Sequence, residues 1–171
     1  MKKKIGFEEA RALMLGVTES MGAEHVPLAD AYGRILAQEI CAEGDVPPFD
    51  RSAYDGYAFR AEDARRASRE HPVTLRILEE IPAGTWPKKT VTPGTATKIL
   101  TGGPIPEGAD VVVPFELTEC AGETVTLFSP AGPRRNIVTA GEDVSKGCLL
   151  ARRGHPRAFD AYQEQPPGGA V

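Results

Sequence analysis

The sequence predicts an α+β chain: an N-terminal helical, linker-like subdomain followed by a compact, mostly β subdomain of barrel- or sandwich-like form. Three observations predict it. Apolar residues over positions 7–40 recur at three- and four-residue steps, the period of an amphipathic helix. From residue 52 onward they fall in short runs separated by turn dipeptides. Glycine and proline, 18 and 15 of 171 residues, punctuate the chain too densely for long helices, coiled coils or solenoids. With 41% hydrophobic and 26% charged residues, a packed core is available.

The first elements are helical. Phe7, Ala10, Leu13 or Met14, Val17 and Met21 share one face of a helix over 7–21, with Gly22 placed for a left-handed cap. Leu28, Ala31, Tyr32, Ile35, Leu36 and Ile40 form the stripe of a second helix over 28–40, weakened mildly by Gly33. The run Gly44 to Asp50 holds Pro47-Pro48 and cannot be helical, so a boundary is expected there. Strands are expected over 52–59, 73–78, 95–100, 110–114 and 124–128, with one short polar helix over 62–69 and a further strand or turn over 144–150. Helices first and strands later is α+β order rather than alternating βαβ. The expected organisation is therefore 1–44 linker-like, 45–140 mostly β, 141–154 a return to the linker, and 155–171 a frayed tail.

Charge and composition exclude several classes of function. Twenty basic against 24 acidic residues give a net charge of −4, so no global basic field draws the chain to nucleic acid or an anionic membrane. No apolar run approaches the ~18 residues of a spanning helix. Glu8, Glu9 and Arg11 stand close behind the basic start, where a signal peptide would carry an apolar run, and this excludes a signal-peptide reading. Cys41, Cys120 and Cys148 lack metal or redox spacing and read as buried or idle thiols in a reducing cytoplasm.

Three segments carry chemistry-bearing residues. In Pro47-Pro48-Phe49-Asp50-Arg51-Ser52-Ala53-Tyr54-Asp55-Gly56-Tyr57-Ala58 the prolines stiffen the approach, and glycine at Asp55-Gly56 permits a sharp turn through φ > 0. Asp55 then either projects to bind a cation or accept a proton, with Ser52 sharing its hydrogen bonds, or belongs to a plain hairpin turn. In Thr101-Gly102-Gly103-Pro104-Ile105-Pro106-Glu107-Gly108-Ala109-Asp110 the paired glycines either let amides converge on an anion or simply connect two strands. Gly141-Glu142-Asp143-Val144 is either a Mg²⁺-coordinating turn or a solvated one. Scattered histidines support neither a zinc cluster nor a Ser–His–Asp triad, and the pairs Arg134-Arg135 and Arg152-Arg153 read as surface charge.

Together these segments resemble, in order, the signature blocks of the molybdopterin molybdenumtransferases, the MoeA and gephyrin E-domain family. Val26-Pro27-Leu28 with Ala31, Gly33, Arg34 and Ala37 is similar to the family's helical entry. The resemblance runs from about Phe7 to Gly154. It implies insertion of molybdate into adenylylated molybdopterin with release of AMP, aided by Mg²⁺, in a cytoplasmic homodimer. It implies Asp55, Thr101 and Asp143 as catalytic residues, Ser52, Gly102 and Gly103 as substrate-binding residues, and Asp55 and Asp143 as metal ligands.

Two departures qualify this. Val138 stands where the family commonly has an arginine, a bidentate anion donor, with Arg134 or Arg135 as candidates to reach in instead. The resemblance also fades after Gly154, so the family's C-terminal α/β domain, which the resemblance implies binds the pterin nucleotide, is expected to be lacking. The expectation is an incomplete transferase, inactive alone, supplying one wall of a cleft. The competing expectation is a non-catalytic dimerisation or binding module derived from the same family.

Overall fold

The structure, a computed structural model, describes residues 4–156; the tail expected over 155–171 lies outside them beyond residue 156. The described residues form two compact units, 4–40 with 151–156, and Cys41–Leu150. Residues 141–150 thus belong to the β unit, whereas the sequence reading returned 141–154 to the linker. Backbone pairing explains the difference. Gly141 and Asp143 donate to Pro47 and Val46, each at 2.9 Å, and Ala42 donates to Cys148 at 2.8 Å.

In the first unit, helix α1 spans Phe7–Val17 and buries none of its residues. It ends one turn before the expected Met21 because the Thr18 hydroxyl takes the Met14 carbonyl at 2.7 Å while Thr18 turns extended. Gly22 is left-handed, at φ 82°, but stands in the loop beyond. The second expected helix does not form. Only a 3₁₀ turn, Leu28–Asp30, is present, and Gly33 at φ 73° breaks the helical path. Of the expected stripe, Leu28, Tyr32 and Ile35 are exposed, Ala31 is buried, and Leu36 and Ile40 are half-buried. Residues 62–69 likewise give only a 3₁₀ turn, Ala61–Ala64, held by its buried alanines.

The described residues form ten strands: β1 Ile40–Cys41, β2 Arg51–Ser52, β3 Gly56–Phe59, β4 Val73–Ile81, β5 Thr95–Ile99, β6 Val111–Pro114, β7 Thr118–Ala121, β8 Thr124–Leu127, β9 Ile137–Val138 and β10 Leu149–Ala151. Six build one sheet, in the order β6-β3-β5-β4-β8-β7, curled into a half-barrel. All its pairs are antiparallel except β4 with β5. The strand expected over 52–59 is two strands, β2 and β3. Residues 53–55 turn because the Ser52 hydroxyl bonds the Tyr54 carbonyl at 2.5 Å and accepts from the Tyr54 amide at 3.3 Å.

Strand β3 is buried along its whole length, as a central strand covered on both faces must be. Tyr57 and Phe59 enter one apolar cluster with Leu75, Val111, Val125 and Leu127. Ala58 enters the other with Ile81, Ile99 and Val112. Each fully buried side chain of leucine or phenylalanine size contributes about 1.5–3 kcal/mol. The cysteines are free and all three exposed, so the buried-thiol reading fails. Among the described residues no helix is long and apolar enough to cross a membrane.

Candidate functional site

Register places the first two segments together. Gly56 of β3 pairs with Ile99 of β5, so the residue before β3 faces the residues just past β5. There the Asp55 Oδ1 accepts both the Thr101 amide and the Thr101 hydroxyl, each at 2.7 Å. Its Oδ2 receives no hydrogen bond from a described residue. The two bonds, the amide one first, hold the Asp55 carboxyl below its ordinary pKa of 3.8. Asp55 and Thr101 are both exposed, so the contact lies at the protein surface.

The glycines matter for room. Gly56 is not left-handed, contrary to the reading from Asp55-Gly56. A Cβ there would lie 2.2 Å from the Val113 carbonyl oxygen, so β6 approaches too closely for any side chain. A Cβ on Gly103 would lie 2.9 Å from the Leu100 oxygen and 3.0 Å from Ile99 Cγ1. The loop's amides are engaged inside the protein: Gly102 donates to Ser52 at 2.9 Å and Gly103 to Leu100 at 2.8 Å. In this conformation they do not converge on an anion, which removes that role for Gly102 and Gly103. Ser52 is 1% exposed and its hydroxyl serves the Tyr54 turn, not Asp55. It supports the loop from beneath.

Residues 50–52 are the spine between the chemical segments. On one side Asp50 accepts at its carbonyl from Ile105 at 2.9 Å, and Ser52 exchanges bonds with Gly102 and Gly103. On the other side Arg51 and Ser52 pair with Val138 and Ile137. The Asp50 carboxylate then holds the third segment. Its Oδ1 accepts from the Ala140 amide at 2.8 Å, and its Oδ2 from Arg134 Nη1 at 2.7 Å. Arg134 Nη2 donates to the Thr139 hydroxyl at 2.8 Å. The Arg134 bond chiefly, and the Ala140 amide next, lower the Asp50 pKa, while Asp50 raises that of Arg134.

Asp143 stands on the turn so anchored, exposed, with its amide on Val46. Among the described residues no hydrogen bond links it to Asp55 or Thr101. Nor is there, among them, a group of three histidine, cysteine, aspartate or glutamate side chains able to hold a metal. Among the described residues there is therefore no preformed all-protein cage for a metal; Asp55 offers one open carboxylate oxygen and Asp143 an exposed carboxylate, a donor set that would hold Mg²⁺ only together with waters and substrate oxygens. Val138 pairs with Arg51, and the guanidinium of Arg134 goes to Asp50 and Thr139. Sequence reasoning missed the Asp50–Arg134 pair because its partners stand 84 residues apart; the only signal was an aspartate closing the Pro47-Pro48-Phe49 run.

The site's frame is thus a half-barrel sheet with an aspartate–threonine pair at the ends of two of its strands and an acidic turn anchored separately through Asp50. The model of the MoeA N-terminal region (domain I and II) matches residues 5–157, and the chain belongs to that family. It is 42% identical over 129 residues to molybdopterin molybdenumtransferase 2 of Mycobacterium tuberculosis, covering 75% of this chain and 32% of that one. To the Bacillus subtilis molybdopterin molybdenumtransferase it is 44% identical over 135 residues, covering 77% and 31%. The molybdopterin biosynthesis MoeA protein of Pyrococcus horikoshii superposes with a TM-score of 0.85 at 38% identity, over 93% of this chain and 41% of that one. The chain thus spans about a third of the length of these sequence relatives.

Proposed function

We propose that this chain is the N-terminal part of a molybdopterin molybdenumtransferase and forms one wall of the site at which molybdate enters adenylylated molybdopterin and AMP leaves. The observation that carries this reading is the doubly bonded Asp55–Thr101 contact, which fixes a carboxylate with one oxygen that takes no hydrogen bond from a described residue. Such a carboxylate orients a hydrogen-bond donor or a cation-bearing ligand without first having to be ordered itself.

The same geometry limits what this wall does. Molybdate and the pyrophosphate link are anions, while Asp55, Glu142 and Asp143 are exposed acids. The loop amides and the Arg134 guanidinium are already engaged. The remainder of a full-length relative, in this reading, supplies further donors that neutralise the substrates, and the chain alone does not turn over. In this reading Asp55 and Thr101 position, Asp143 supplies the acidic margin, and Ser52, Gly102 and Gly103 keep the loop in shape.

One observation also favours assembly. Helix α1 leaves Phe7, Leu13, Met14 and Val17 exposed, an apolar face expected to be covered by a second copy in a homodimer. A pure binding module would need no more than this. The test is complementation of cells lacking their own molybdopterin molybdenumtransferase. Molybdoenzyme activity is expected when the chain is supplied with the remainder of the Bacillus subtilis relative, and not with the chain alone. Absence of activity in both arms favours the module. Sedimentation of the purified chain reads the dimer separately.

A further inference from the structure

Arg134 is an arginine in a glycine's conformation. Its φ is 64°, in the left-handed region that costs a non-glycine residue about 1 kcal/mol or more. The local backbone is well fastened without its side chain: the Arg134 amide donates to Asp110 at 2.6 Å, the Arg135 carbonyl accepts from Val112, and Asn136 Nδ2 reaches the Val112 carbonyl at 2.8 Å. Glycine would satisfy all of this with less strain. What arginine adds is the fork. One nitrogen reaches Asp50 and the other Thr139, across from the Ala140 amide that shares the same Asp50 carboxylate. Beyond Ala140 come Gly141, tied to Pro47, and Asp143, tied to Val46. The carbonyl of Asp50 meanwhile carries Ile105 of the Thr101 loop.

We infer that Arg134 is a positioning residue: by clamping Asp50 to Thr139 it fixes the turn bearing Asp143 to the same short backbone stretch, 50–52, that supports the Thr101 loop. The two separated parts of the site then keep a constant relation although no side chain joins them directly. The clamp stands on geometry alone; its value to the reaction rests on the function proposed above. Lysine is a poor replacement, because one ammonium lacks the planar two-ended reach.

Amide hydrogen exchange on the purified chain tests the clamp, with Asp50→Ala, Arg134→Gln and Arg134→Lys compared with the parent. Exchange at Ala140, Gly141 and Asp143 is expected to rise roughly tenfold in Arg134→Gln, more in Asp50→Ala and less in Arg134→Lys, while strands β3, β5 and β6 keep their protection. Unchanged exchange at 140–143, or an equal rise over the whole sheet, overturns it. AMP release with the remainder of a relative supplied tests the positioning role. Arg134→Gln is expected to lower it, and to add nothing once Asp143→Ala is present. Additive losses show that Arg134 does not act through Asp143 and overturn that role. If the parent releases no AMP, the proposed function and the reaction role fail together, and the exchange result still decides the clamp.

Discussion

The Asp55 carboxylate takes the amide and the hydroxyl of Thr101 on a single oxygen, each at 2.7 Å, and its other oxygen takes no hydrogen bond from a described residue. This joins the ends of two central strands. Because Gly56 and Ile99 are register partners, the contact repeats in side-chain form the pairing that the sheet has just completed. The site is thus an extension of the fold's most buried region into solvent.

The contact depends on the ionised carboxylate, which fixes its pH response. A carboxyl held below 3.8 contributes its hydrogen bonds fully above that value and loses them as pH falls through its own lower pKa. The Thr101 amide resonance should therefore be constant near neutral pH and shift in acid with a midpoint below 3.8. Asp55→Asn should abolish the transition. A midpoint at or above the ordinary aspartate value would contradict the contact.

Close approach at Gly56 predicts a steep steric cost. Gly56→Ala places a methyl 2.2 Å from the Val113 oxygen and should destabilise by about 3 kcal/mol or more in urea unfolding. Gly103→Ala, with contacts at 2.9 and 3.0 Å, should cost about 1–3 kcal/mol. Gly44→Ala meets nothing within 4 Å and should stay within about 1 kcal/mol of the parent. Equal midpoints for Gly44→Ala and Gly56→Ala would show that β3 and β6 are not so close.

Much of this was legible in the sequence, and the misses share a cause. Strands at 73, 95, 111 and 124 announced themselves through β-branched runs between turn dipeptides, and Asp55 with Thr101 through motif order. The helix expected over 28–40 failed because a 3.6-residue period cannot report that Gly33 sits at φ 73°. Strand β7 was missed because Thr-Glu-Cys-Ala alternates too weakly, and its pairing with β8 supplies the order. The anion-cradle reading of Gly102-Gly103 failed because nothing local says that Ser52 and Leu100 take those amides. Asp50 and Arg134 meet only through tertiary contact.

A buried hydroxyl offers a test of the core. Thr97 is fully buried and its Oγ1 has no hydrogen-bond partner among the described residues, so its desolvation is uncompensated. Thr97→Val keeps the shape and removes the polar atom, and should match the parent or exceed it by up to about 1–2 kcal/mol in urea unfolding. A loss above about 1 kcal/mol would mean that the hydroxyl has a partner.

The most direct test of the proposed role grafts residues 5–156 into the Pyrococcus horikoshii MoeA protein in place of the matching segment and measures AMP released from adenylylated molybdopterin with molybdate. The graft should turn over, and Asp55→Ala within it should lower the rate at least about tenfold, or about 1.4 kcal/mol, without lowering the unfolding midpoint to match. A graft that releases AMP equally fast with and without Asp55 would contradict the claim that this carboxylate faces the substrate.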